Sequence, residues 1–130
     1  MRLDPLLTIT SLLLILLLTF HLADDIVRGF EKGGLANLTA VPIVVVWLYA
    51  ALMLTGRRSG YIITLLLSLF GLVVPCVHMK GRGVGINSSI WHTSGAFFFV
   101  WTLIAIAVTG LFSIVLSVRG LWSLPWRRAH

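Results

Sequence analysis

Charge is what this chain lacks most. Asp, Glu, Lys and Arg make up 11% of its 130 residues, against about 25% in an ordinary soluble domain. A chain so poor in charge cannot cover a water-facing surface, which excludes a soluble globular fold and implies a polytopic membrane protein. The single cysteine, Cys76, excludes an internal disulfide. The HExxH, paired CxxC and GxSxG patterns are missing as well, so no motif announces a metalloprotease helix, a cysteine-ligated zinc or a nucleophile elbow. Nor does an Asp, Glu, Lys or Arg fall in the middle of an apolar run, where transporters and proton relays usually place one. A conducting path through a single copy is therefore not expected.

Four long apolar runs fill the rest. They cover about residues 6–22, 39–54, 61–77 and 90–118, each near or above the roughly 20 residues that a helix needs to cross a bilayer. The predicted fold is all-α: one four-helix transmembrane domain spanning residues 1–130, an up-down bundle with short loops, ending in an interfacial tail over 119–130. Asp4-Pro5 suits a helix start, since proline in the first turn loses no hydrogen bond. Pro42 lies in the first turn of the second run, with Asn37 or Thr39 as N-cap. Gly56-Arg57-Arg58-Ser59-Gly60 reads as a tight basic turn. Pro75 is placed to distort the end of the third run. Lys80 to Gly85 reads as a loop, with Asn87, Ser88 and Ser89 available to cap the last helix. The first run resembles a secretory signal, but the bulky His21 stands where a small residue should precede the cut, so an uncleaved span is expected.

Basic residues set the orientation. With the N-terminus inside, the cytoplasmic side carries Arg2, Arg57, Arg58, Arg119, Arg127 and Arg128. The other side carries Arg28, Lys32, Lys80 and Arg82, together with Asp24, Asp25 and Glu31. The positive-inside rule then puts both termini in the cytoplasm, with a bacterial inner membrane as the expected setting. The same placement accounts for the net charge of +6 by anchoring in the lipid bilayer, so no nucleic-acid partner is expected. Trp91, Trp122 and Trp126 fit interfacial belts.

The exterior end is where polar side chains collect. His21, Asp24, Asp25 and Arg28 have the i, i+3, i+4, i+7 spacing of one helical face. His78 lies 17 residues beyond Tyr61, about 25 Å up the third helix, and His92 opens the fourth run from the same side. Two or three imidazoles with a carboxylate suit zinc, iron, manganese or copper. The predicted ligands are His21, Asp25, His78 and His92, with Asp24 and Asp25 as acid–base candidates and Arg28 as an anion or headgroup contact. Cys76 and Met79 would add soft donors for copper, although Cys76 and His78 face different sides of a regular helix. A plainer account competes: polar residues snorkel at span ends, and an exposed Asp–Arg pair is worth only about 0–1 kcal/mol. A haem clamped by His78 and His92 is conceivable in a four-helix bundle, but the Asp pair fits a harder metal or proton chemistry better.

Two function classes follow. The first is a one-sided site that binds a divalent metal or does acid–base chemistry on a membrane-proximal substrate. The second is a non-enzymatic accessory or scaffold subunit of a larger complex, or a homo-oligomer. Phe97-Phe98-Phe99, which covers much of a helix circumference, motivates the second class, as do the small residues Gly95, Ala96, Ala105, Ala107 and Gly110.

Overall fold

The computed structural model describes residues 3–79, 90 and 92–124. Helix α1 spans Leu3–Val27, a 3₁₀ helix Leu35–Thr39 leads into α2 at Ala40–Met53, α3 spans Arg58–Met79 and α4 spans Ala96–Ser123. There is no strand among the described residues. Among the described residues, four segments are long and apolar enough to cross a membrane: Asp4–Val27, Leu35–Met53, Arg58–His78 and Ala96–Ser123. The all-α four-helix architecture agrees with the sequence expectation, and its composition is that of a multi-pass membrane protein.

Helix ends show that direction reverses at every connection. Thr8 Oγ1 donates to the Ala51 carbonyl at 3.0 Å, and the Tyr61 hydroxyl donates to the Asp4 carboxylate. The start of α1 therefore lies beside the end of α2 and the start of α3. At the other end, the Arg28 guanidinium reaches Thr93 and Gly95, just before α4. Helix α4 packs most extensively on α3 and α1, whereas α2 touches α1 and α3 more lightly. The bundle is thus more open on its α1–α2–α3 side.

Packing along the bundle falls into three apolar layers. Leu7, Tyr61 and Leu116 fill the end that holds the N-terminus of α1. Leu14, Ile15, Trp47 and Ile106 fill the middle, and Ile90, Phe99 and Leu103 fill the far end. Lipid is as apolar as leucine, so helix association in the bilayer relies on close contact and interhelical hydrogen bonds. Gly120 shows the first: a Cβ there would collide with the Tyr61 ring. Ser68 and Ser113 show the second, with hydroxyls 2.7 Å apart between α3 and α4.

Helix α1 runs on past the apolar run to Val27 and carries Asp24 and Asp25 as helical residues, as the spacing of the stripe implies. Other boundaries differ from the sequence reading. Of the two expected caps, Thr39 occupies the N-cap position of α2, but its hydroxyl donates to the Ala36 carbonyl and caps no backbone N–H. Asn37 lies inside the 3₁₀ helix and donates to the Lys32 carbonyl. The 3₁₀ residues rise about 2.0 Å each and the 14 helical residues of α2 about 1.5 Å each. Together they supply roughly the 30 Å of a hydrocarbon core. Helix α4 begins at Ala96, later than residue 90, because Gly95 takes a left-handed φ of 88° that breaks the helix before it. Its 28 residues exceed what a bilayer requires, so it tilts or protrudes. Residues up to Ser123 are helical, which takes the first part of the expected tail into α4. Pro75 lies inside α3 without ending it. The expected loop from Lys80 to Gly85, the caps at Asn87 to Ser89, and Trp91 and Trp126 lie outside the described residues.

Candidate metal centre

The end of α1 places four polar residues over two turns, and helical geometry divides their work. His21 and Asp25, four residues apart, share one stripe and face the bundle interior. Asp24 is turned about 100° from Asp25 and pairs instead with Arg28, whose Nε donates to Asp24 Oδ2 at 2.7 Å. Arg28 spends its other donors within the protein, Nη1 on Thr93 Oγ1 at 3.0 Å and Nη2 on the Gly95 carbonyl at 2.8 Å. Its guanidinium also lies 5.4 Å from the centre of the Phe99 ring, a cation–π contact. The residue expected to meet an anion thus ties the end of α1 to the turn before α4.

Inside, His21, Asp25 and His78 are all buried, and one ligand atom from each lies within 4.8 Å of the other two. Asp25 Oδ2 stands between two imidazoles, 3.7 Å from His21 Nε2 and 3.4 Å from His78 Nε2. Both separations exceed the roughly 2.7–3.2 Å of a good hydrogen bond. Bonds of about 2.0–2.2 Å in a tetrahedral site put ligand atoms about 3.3–3.6 Å apart; the His78 separation falls in that range and the His21 separation lies just beyond it. His21 Nε2 and Asp25 Oδ1 are buried without a hydrogen-bond partner, although buried polar atoms usually have one.

The other face of the His21 ring bears on which nitrogen carries its proton. Thr102 Oγ1 donates to the Phe99 carbonyl at 2.9 Å and lies 3.1 Å from His21 Nδ1. With its hydrogen given to that carbonyl, the hydroxyl accepts from His21 Nδ1, and this tautomer is the one that leaves a lone pair on Nε2 facing Asp25. This is the arrangement by which partners outside a metal's immediate ligands orient an imidazole. Phe99, fully buried, completes the packing. Its ring lies 5.2 Å from His21 and 5.4 Å from His78, and the two imidazoles meet edge to face at 4.7 Å.

His92 does not join this group. It lies in the turn before α4 and is exposed, so two imidazoles converge where the sequence offered three. Cys76 is exposed on α3 while His78 is buried, as the regular helix requires, which removes the cysteine from any copper ligand set. The Met79 side chain lies outside the described residues. The haem clamp expected of His78 and His92 is not formed, because His78 is buried on α3 while His92 is exposed in the turn before α4. Three residues of the site escaped the sequence reading. Thr102 and Phe99 look like ordinary span residues until α4 is packed on α1. Glu31, an exposed residue just past α1, lines the cleft that opens onto His21, Asp25 and His78.

Comparison with protein-family models, with curated proteins and with solved structures yields no match, so the chemistry of the site rests on its own geometry.

Proposed function

We propose that this protein binds a divalent metal ion through His21 Nε2, His78 and Asp25 at one face of the membrane. The observation that carries the reading is the single carboxylate oxygen set between two imidazole nitrogens at metal-ligand spacing, with the His21 tautomer held by Thr102. Two histidines and one carboxylate leave coordination positions for water or for an oxygen of a substrate. Zinc and ferrous iron suit this donor set better than copper, since among the described side chains no soft ligand joins His21, Asp25 and His78. Metal analysis of the detergent-purified protein tests the reading. Near-stoichiometric metal is expected in wild type and little in His21→Ala or His78→Ala. Metal absent from wild type, or retained by both variants, would overturn it.

A second reading uses the same atoms without a metal. Asp25 between two imidazoles can pass a proton from one to the other, which suits acid–base chemistry on a substrate at the membrane face. A fully active protein that survives exhaustive chelation would favour it. In either reading the basic residues place both termini in the cytoplasm and the site at the opposite face. Reporter fusions at residue 1 and at residue 130 should therefore both report from the cytoplasmic side, and a fusion that reports from the exterior would invert the assignment.

A further inference from the structure

The site opens sideways, toward the lipid. A cleft of about 260 Å³ is lined by His21, Asp25, His78 and Glu31 at one end and by Leu18, Phe70 and valines of α3 along its length. It continues into a second cleft of about 440 Å³ between α1, α2 and α3, since Leu18, Leu22, Glu31, Phe70 and Val74 line both. Phe70 lies eight residues below His78 on α3, so the apolar part runs about 12 Å down the bundle at 1.5 Å per residue. Phe70, Val73 and Val77 are exposed on the outer surface of α3, which leaves the cleft open to the bilayer along its side. Light packing of α2 is what creates this opening.

Chemistry is graded along the cleft. Glu31, Asn37 and Thr39 form a polar rim at the membrane face, next to the buried ligand set, and Ile43, Val44 and Trp47 form the deeper wall. Trp47 is almost wholly buried, yet its indole N–H has no acceptor, so the deep wall is unsatisfied as it stands. Ligand sites are commonly 300–1,000 Å³ clefts that are mostly apolar, with a few convergent polar groups.

We propose that the site takes a single-chain amphiphile from the bilayer, with an oxygen-bearing head group at His21, Asp25 and His78 and its apolar chain in the α1–α2–α3 cleft. This rests on the metal reading for its head-group chemistry only. The continuity of the two clefts and the grading from carboxylates to aliphatic wall argue for one molecule with a polar end and an apolar tail. The two clefts share one apolar wall, Leu18 and Leu22 on α1 with Phe70 and Val74 on α3, which argues for one chain.

The test uses full-length protein in nanodiscs and a long-chain fatty acid with a photoreactive group near its tail. Labelling is expected on peptides that contain Leu18, Ile43 or Phe70. Excess unlabelled fatty acid should compete, and an alkane of equal length should not. Ile43→Trp, at a partly exposed position lining only the deeper cleft, should lower labelling several-fold, whereas Val45→Trp on the same helix should not. Labelling spread evenly over lipid-facing helices, or equal effects of the two tryptophan variants, would overturn the proposal. Metal analysis of the same samples separates the two readings. Saturable labelling without metal refutes only the metal, and metal without saturable labelling refutes only the cleft.

Discussion

Replacing Thr102 by valine removes one hydroxyl and keeps the shape of the side chain, at a residue that is not itself one of the proposed metal ligands. Thr102 Oγ1 lies 3.1 Å from His21 Nδ1 and donates its own hydrogen to the Phe99 carbonyl. Without it, the Nδ1–H is a buried donor with no acceptor, at a cost of about 1–3 kcal/mol. The imidazole can escape by moving its proton to Nε2, which takes away the lone pair that faces Asp25. Loss of such an orienting partner weakens metal binding by about 10–100-fold, or about 1.4–2.8 kcal/mol at 1.4 kcal/mol per decade. The two routes agree in size. Thr102→Val should therefore bind zinc about 10–100-fold more weakly than wild type, measured by competition with a chromophoric chelator near neutral pH. Cobalt substitution should show a changed d–d spectrum. Thr102→Ser keeps the hydroxyl and should recover most of the affinity. Wild-type affinity in Thr102→Val, or a serine variant as weak as the valine one, would refute the assignment of the tautomer and the role of Thr102.

The adjacent acids should separate cleanly. Asp25→Asn is expected to abolish metal retention, and Asp24→Asn to keep the metal while lowering thermal stability, because only the latter loses the 2.7 Å bond to Arg28; equal metal loss in the two would contradict the division of the α1 stripe. Gly120→Ala places a methyl against the Tyr61 ring, which the Asp4 bond holds in place, and overpacking of this kind costs about 1–3 kcal/mol. Its thermal destabilisation in detergent should shrink when Tyr61→Ala is added, and full additivity of the two would argue against the contact. Acidification should release the metal, since protons compete for the imidazole nitrogens that ligate it: retention is complete at neutral pH and lost as pH falls. Dialysis across a pH series followed by metal analysis would show this, and retention unchanged into strongly acidic buffer would count against histidine ligands.

Much of the fold was legible in the letters because the bilayer imposes a simple rule. A segment in lipid must satisfy its own backbone hydrogen bonds, so an apolar run of sufficient length has to be a helix. Helix ends were less legible, since they depend on single residues. Gly95 starts α4 six residues late through its left-handed φ of 88°, and Asn37 falls inside the 3₁₀ turn before α2. The aromatic triplet divides as a helix circumference demands, with Phe97 exposed, Phe98 partly exposed and Phe99 buried. Which of the three would turn inward was not visible in their order.

His21, Asp25 and His78 were legible as candidates for a similar reason. Helical spacing puts His21 and Asp25 on one stripe, and span length puts His78 at the same depth. Depth is a one-dimensional quantity, and sequence determines it well. Convergence requires rotation of each helix about its axis and the choice of neighbours, which are set by side-chain packing between distant segments. Only the tertiary structure turned Asp25 toward His78 and carried Arg28 across to Thr93 and Gly95. It also left His92 exposed in the turn, brought Thr102 from α4 onto the His21 ring, and set α2 loosely enough to open a cleft to the site. The sequence determined which groups reach one face of the membrane; packing decided which of them meet.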